Sequence, residues 1–108
     1  MSDVKNQEPE IIMSRVFSKA LKKLSDQCKD IIDDEIDNII EEPEIGVQKK
    51  GDLSHMRVHK FKMNNQETLL GYTWVDEKLT LYLLNLGSHE NFYKKSKSRR
   101  EQDLKLIS

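Results

Sequence analysis

Leu79-Thr80-Leu81-Tyr82-Leu83-Leu84-Asn85-Leu86 runs directly into Gly87-Ser88-His89-Glu90-Asn91-Phe92-Tyr93, and this junction decides the fold. The first eight residues are almost all apolar, without alternation. A short run of that kind predicts a central strand covered on both faces. Gly87 then predicts a sharp backbone turn at the strand end. An imidazole, a carboxylate, an amide and a phenol follow, and after them Lys94, Lys95, Lys97, Arg99 and Arg100. Reactive groups at the end of a rigid strand, with cations beside them, predict a site that handles a phosphate.

Upstream of the junction the period is that of strands. Asp76-Glu77-Lys78 predicts a tight hairpin turn. Leu70, Tyr72 and Trp74 alternate with Leu69, Gly71, Thr73 and Val75 on the preceding strand, and Asn64-Asn65 marks the turn before it. Met56 and Val58 share one phase, whereas Phe61 and Met63 take the other. That phase slip predicts a β-bulge near His59-Lys60. Gly46 and Gly51 punctuate a polar loop. Downstream, a last helix is predicted to begin at Asn91, with Leu104, Leu106 and Ile107 as late apolar contacts.

The first half has helical period instead. Glu10-Ile11-Ile12-Met13 predicts a short strand, and Ser14 an N-cap. Phe17, Ala20, Leu21 and Leu24 then recur at i, i+3, i+4 and i+7. Ser25 predicts a second N-cap. Cys28, Ile32, Ile36, Ile39 and Ile40 form the next stripe, bounded beyond its end by Pro43. Two helices joined by so short a turn make an αα-hairpin. The expected fold is therefore α+β: a small antiparallel sheet of three to four strands packed against an N-terminal helical hairpin, with the other sheet face free to bind.

A chain of 108 residues supports one domain with one modest core. The expected division is a disordered N-terminus over 1–9, a domain over 10–98 and a C-terminal tail over 99–108. No apolar run approaches the ~20 residues of a membrane span, and the N-terminus lacks the apolar core of a secretory signal. Cys28 is a lone cysteine without an internal partner, which fits a reducing, cytoplasmic setting. One cysteine and three scattered histidines lack metal-ligand spacing, so neither a metal nor another cofactor is expected. The net charge of −1 hides an asymmetry. Residues 1–48 carry 6 Lys/Arg against 12 Asp/Glu, and residues 49–108 carry 12 against 7. The basic half is the expected working face.

Gly51-Asp52-Leu53, Arg57-Val58-His59-Lys60-Phe61-Lys62, Leu69-Leu70-Gly71-Tyr72-Thr73-Trp74 and Leu86-Gly87-Ser88-His89-Glu90-Asn91-Phe92-Tyr93 resemble the RelE/ParE superfamily of toxins, from about Glu10 to about Lys97. The His-Glu-Asn-Phe-Tyr run is the most specific part. The resemblance implies a microbial-RNase-like fold and the toxin half of a bacterial type II toxin–antitoxin pair. It also implies one of two activities: metal-independent cleavage of ribosome-bound mRNA, as in RelE-like and YafQ-like members, or inhibition of DNA gyrase, as in ParE-like members. A degenerate member would only bind its antitoxin. The implied partners are a cognate antitoxin and either the ribosome with mRNA or gyrase. His89 falls where YafQ-like members carry a histidine, and Tyr93 where RelE-like members carry a tyrosine. Phe92 falls in an aromatic slot able to stack on a base. Arg57, Lys60 and Lys62 fall on the strand that supplies cations to the RNA backbone. The chain departs from RelE-like toxins at Leu69-Leu70, where an arginine usually stands.

RNA cleavage without metal needs a base for the 2′-OH, a cation for the phosphate and an acid for the leaving 5′-oxygen. A histidine titrates near neutrality and serves either proton role. His89 is the first candidate, as general acid. Tyr93, Lys60 and His59 are the other catalytic candidates. Arg57, Lys62, Lys94, Lys95 and Lys97, with Phe92, are the candidate RNA contacts.

Overall fold

The computed structural model describes residues 8–108, so most of the expected disordered segment lies outside the described residues. The chain begins with β1 (Glu10–Met13), α1 (Arg15–Lys22) and α2 (Asp26–Glu41). It continues through β2 (Val47–Gln48), a 3-10 turn at Gly51–Leu53, β3 (Arg57–Met63) and β4 (Gln66–Val75). A second 3-10 turn at Asp76–Lys78 leads into β5 (Thr80–Ser88), α3 (His89–Ser98) and α4 (Arg100–Ile107). The five strands form one sheet in the order β1-β5-β4-β3-β2. β1 pairs parallel to β5, and the remaining pairs are antiparallel. The architecture is α+β as expected, with one more strand than expected.

The helical hairpin forms where its caps put it. Ser14 Oγ accepts from the Phe17 N–H (3.0 Å) and donates to the Leu84 carbonyl (2.7 Å), so one hydroxyl both caps α1 and ties it to the central strand. Ser25 Oγ accepts from the Cys28 N–H (3.2 Å). The apolar stripes then meet the sheet: Phe17, Ile32, Ile36 and Ile39 pack on Leu70, Tyr72, Leu81 and Leu83.

The opposite face is not free, as the sequence led one to expect. A second core buries Leu53, Met56, Val58, Leu69, Tyr82 and Leu84 beneath Phe92 of α3, with Leu106 and Ile107 of α4 against its edge. Residues 99–108 are thus largely helix rather than a loose tail. A sheet with two covers also explains the phase slip on β3. The register with β4 is unbroken from Arg57↔Tyr72 to Met63↔Gln66, without a bulge at His59-Lys60. Val58 faces the α3 core while Phe61 and Met63 face the hairpin core. The strand changes its buried face because each end lies under a different cover. The sheet's irregularity lies instead at Gly71/Tyr72. There a Cβ on Gly71 would sit 2.5 Å from Met56 Cε and 2.9 Å from Phe92 Cζ, so α3 approaches the sheet through the missing side chain.

Gly87 needs no special conformation: it pairs with Leu69 inside β5, and a Cβ there would meet nothing within 4 Å. The chain turns at Ser88, the N-cap position of α3, and the helix begins at His89, two residues before the expected start. What holds α3 down is a buried amide. Asn85 Nδ2 donates to the Phe92 carbonyl (3.1 Å) and to Ser96 Oγ (2.8 Å), while its Oδ1 accepts from the Leu86 N–H (2.9 Å). Removing it leaves Ser96 and a helix carbonyl without partners in the core. Asn85→Ala is expected to lower the unfolding free energy by about 2–3 kcal/mol, measured by urea denaturation, with α3 amides losing hydrogen-exchange protection first.

Candidate active site

Helix α3 sorts its side chains by angle. Phe92 and Ser96, four residues apart, turn into the sheet and are buried at 2% and 1% exposure. His89, Tyr93 and Lys97 follow one another at the same spacing on the next stripe. The His89 and Tyr93 rings meet edge to face with centroids 5.6 Å apart. Tyr93 in turn meets Phe92 edge-on at 5.2 Å, so the buried ring fixes the half-exposed one. Lys49, from the loop after β2, holds its ammonium 5.0 Å from the Tyr93 ring centroid. Lys50, Lys97 and the Gly51–Leu53 turn complete an open cleft of about 470 Å³ beside Tyr93.

The strand residues divide between the two faces. Lys60 pairs across from Leu69, and Leu69 from Gly87. That row lies on the face α3 covers, and spans roughly 10 Å from Lys60 to the strand end that delivers His89. Lys60 and Lys62 are exposed on this face. His59 and Arg57 point the other way and already have partners. His59 Nε2 lies 2.7 Å from Glu35 Oε1 of α2, and the imidazole is largely buried. Arg57 donates to the Gly46 carbonyl (2.7 Å) and the Glu44 carbonyl (3.3 Å), bracing the loop after α2. Beside it the Tyr72 hydroxyl donates to the Pro43 carbonyl (2.6 Å) and accepts from the Gly46 N–H (3.0 Å). His59 and Arg57 therefore serve the hairpin side of the sheet, because the strand's period of two sends 57 and 59 away from 60 and 62.

Phe92 likewise leaves the expected set. A ring 2% exposed within the second core offers no face to a base. Lys94 is exposed on the outer surface of α3, while Lys95 turns toward α1, away from the Tyr93 cleft. Of the sequence-derived residues, His89, Tyr93 and Lys97 share one stripe, and Lys60 and Lys62 share their sheet face. Lys49 and Lys50 escaped the sequence reading. Their only signal was a Lys-Lys pair before Gly51, in a loop whose position depends on β2 pairing with β3.

A buried polar group joins the loop before β3 to α4. His55 Nε2 is 3.9 Å from Asp103 Oδ2, and both atoms, with Arg99 Nε, are buried without hydrogen-bond partners among the described residues. Burial raises the Asp103 carboxyl to about 6 against the opposing pull of Arg99, and burial with the Arg100 charge lowers the His55 imidazole. A raised carboxyl contributes stability at low pH that is lost as pH rises through about 6. The lowered imidazole works in the opposite sense, losing stability as pH falls below its ordinary value of 6.5. Asp103→Asn removes the first effect, and is expected to raise stability by ~2 kcal/mol at pH 8 and little at pH 4, read from thermal melts across that range. Phe92→Ala is expected to cost about 3–5 kcal/mol in urea unfolding, in keeping with a core position.

The site is thus a cation-lined cleft beside the helix that leaves β5 of a small α+β sheet. A profile described as "ParE-like toxin of type II bacterial toxin-antitoxin system" matches residues 11–97. The chain belongs to this family, within the RelE/ParE toxins. Solved structures of similar fold include a variant of the Escherichia coli toxin RelE in the free state, at 18% identity, covering 88% of this chain and 98% of that one, with a TM-score of 0.66. The Mycobacterium tuberculosis toxin–antitoxin complex RelBE2 aligns at 15% identity over 77% of this chain and 100% of that one, with a TM-score of 0.63. The intact E. coli RelBE toxin–antitoxin complex aligns at 20% identity over 76% and 98%, with a TM-score of 0.61. No curated protein matches the sequence. No described helix is long and apolar enough to cross a membrane.

Proposed function

We propose that this toxin is an endoribonuclease that cleaves ribosome-bound mRNA without a metal, acting in the cytoplasm and held inactive by a cognate antitoxin. The observation that carries this reading is the His89–Tyr93–Lys97 stripe of α3, in which Tyr93 and Lys97 line the cleft with Lys49 and the His89 ring meets that of Tyr93. It supplies the groups that transesterification of a phosphodiester requires. Tyr93, as the phenolate, takes the proton from the 2′-OH as that oxygen attacks phosphorus, and becomes the phenol. Lys49 and Lys97 meet the charge that accumulates on the non-bridging oxygens. His89, exposed at the first position of α3, gives its proton to the departing 5′-oxygen, leaving a 2′,3′-cyclic phosphate and a free 5′-hydroxyl. Lys60 and Lys62 steer the strand toward the cleft from the same sheet face.

Lys49 also answers the departure at Leu69-Leu70. The strand that usually carries an arginine is closed by the second core, where Leu69 is fully buried. A cation delivered by the loop after β2 stands beside the same tyrosine instead. The similarity to RelE structures supports the fold required, and two of the structures cited are complexes with antitoxins, which supports an antitoxin for this chain.

His89→Ala is expected to leave the melting temperature unchanged, because the ring is exposed, and to slow mRNA cleavage by about 10²–10⁴-fold. Lys49→Ala is expected to weaken cleavage through phosphate binding. Primer extension on mRNA after induction reads both: new codon-phased 5′ ends with the wild type, and their loss in the variants. The family's ParE-like description favours gyrase as the second target. Linearised plasmid DNA in place of new mRNA ends selects that reading, and growth arrest undiminished in His89→Ala rules out the role given to this histidine.

A further inference from the structure

The cleft beside Tyr93 holds one residue that phosphate chemistry does not call for. Asp52 lies in its lining with Lys49, Lys50 and Lys97, and is the single acidic residue there. A carboxylate in a cleft made for an anion works against it, because like charges repel at close range. Nor does Asp52 neutralise the lysines. Among the described residues its carboxylate has no ion pair and no hydrogen bond; only its backbone carbonyl is engaged, accepting from Arg100 Nε at 2.9 Å. The residue is exposed at the cleft.

The turn that carries it is built rather than loose. Gly51 takes a φ of 67°, a left-handed conformation open to glycine. The Ser54 N–H returns to the Gly51 carbonyl (3.1 Å). Gln48 Nε2 donates to the Ser54 carbonyl (2.9 Å) and to the Met56 carbonyl (3.1 Å). Leu53, next to Asp52, is 4% exposed within the second core. Anchors on both sides of residue 52 leave its backbone little freedom, so the carboxylate is presented from a fixed point.

A ligand that suits the whole cleft is anionic toward the lysines and a hydrogen-bond donor toward Asp52. A nucleotide is such a ligand, with its phosphate on the cations and the edge of its base on the carboxylate. An ionised carboxylate only accepts, through two oxygens side by side. Among the RNA bases guanine alone offers two neighbouring N–H groups along its pairing edge, at N1 and N2, and these match that fork. Adenine and cytosine offer one amino group beside a ring-nitrogen lone pair, and uracil one N–H between two carbonyls. Each of these sets an acceptor against the carboxylate. Bases of single-stranded RNA expose this edge to protein.

We propose that Asp52 selects the base beside the cleaved phosphate, by accepting the N1–H and N2–H groups of a guanine. The assignment rests on the nuclease reading: Lys49 and Lys97 hold the phosphate, and Asp52 decides which nucleotide they hold. Asp52 takes no part in proton transfer.

The test uses the full chain and ribosomes programmed with mRNAs that differ at one nucleotide. Guanosine is replaced by inosine, which lacks only the 2-amino group, at each nucleotide flanking the cut in turn. At one of the two positions the wild type is expected to cleave the inosine mRNA about 10-fold more slowly, and a uridine mRNA more slowly still. Asp52→Ala is expected to cleave the guanosine and inosine mRNAs at equal rates. Its melting temperature is expected to be unchanged, because the bonds that anchor the turn use the backbone of residue 52 and not its carboxylate. Lys50→Ala, by contrast, is expected to slow both mRNAs by the same factor. Wild-type cleavage that ignores inosine at both positions overturns the proposal and leaves the nuclease reading standing. So does a loss in Asp52→Ala that is equal for the two mRNAs, which would make Asp52 part of the proton transfer. Absence of cleavage of every mRNA by the wild type overturns the nuclease reading, and the role of Asp52 with it.

Discussion

The positioning of α3 on the sheet is the constraint from which the rest of the molecule follows, and a single buried amide enforces it. Asn85 sits in the largely apolar β5 and spends both ends of its side chain on fixed partners, two on α3 and one on the Leu86 N–H of its own strand. A buried amide tolerates few alternative arrangements, because any shift leaves a polar group unpaired in the core. The helix is thereby held in azimuth as well as in depth. Phe92 enters the space left by Gly71, and Ser96 is buried at its hydrogen bond with Asn85. Once these two positions face the sheet, the helical period leaves no freedom for the others.

That azimuth divides the basic half of the chain into two separate basic surfaces. One stripe of α3 carries Tyr93 and Lys97 toward the loop after β2, with His89 against Tyr93 at its start. The next carries Lys95 and Arg99 toward α1. A run of basic residues that reads as one tail in sequence becomes two separate fields, divided by the body of a helix. α4 braces the arrangement from below. Arg100 Nε donates to the Asp52 carbonyl (2.9 Å) and Lys78 Nζ to the Ile107 carbonyl (3.1 Å), so the last helix ties the Gly51–Leu53 turn to the β4–β5 corner. The same turn lines the Tyr93 cleft, which makes α4 part of the cleft's support.

Local signals carried the first half of the fold. Ser14 and Ser25 cap the helices they were expected to cap, because a capping hydroxyl acts on N–H groups only three residues away. Asn64 and Asn65 take positive φ of 55° and 65° at the hairpin, as short polar side chains permit. The failures were of another kind. The changed phase on β3 has two physical explanations, a bulge or a change of covered face, and only the second cover distinguishes them. Gly87 offered a turn, but strand pairing to Leu69 extended β5 beyond it. His55 had no local signal at all, since its partner Asp103 lies 48 residues away and becomes adjacent only when α4 folds back.

By itself the sequence determined which residues could do chemistry and the period on which they lie: His89, Tyr93 and Lys97 at four-residue spacing, and Lys60 and Lys62 at two. Periodicity is a property of the backbone's own hydrogen bonding, so it is legible without knowing the neighbours. Only the tertiary structure decided which of these periodic faces meets which. It took Phe92 out of the surface and gave His59 to Glu35 and Arg57 to the loop after α2. It also brought Lys49 over Tyr93 across a gap of 44 residues. Those choices depend on burying two apolar faces of one sheet at once, and that is a property of the packed chain rather than of any segment in it.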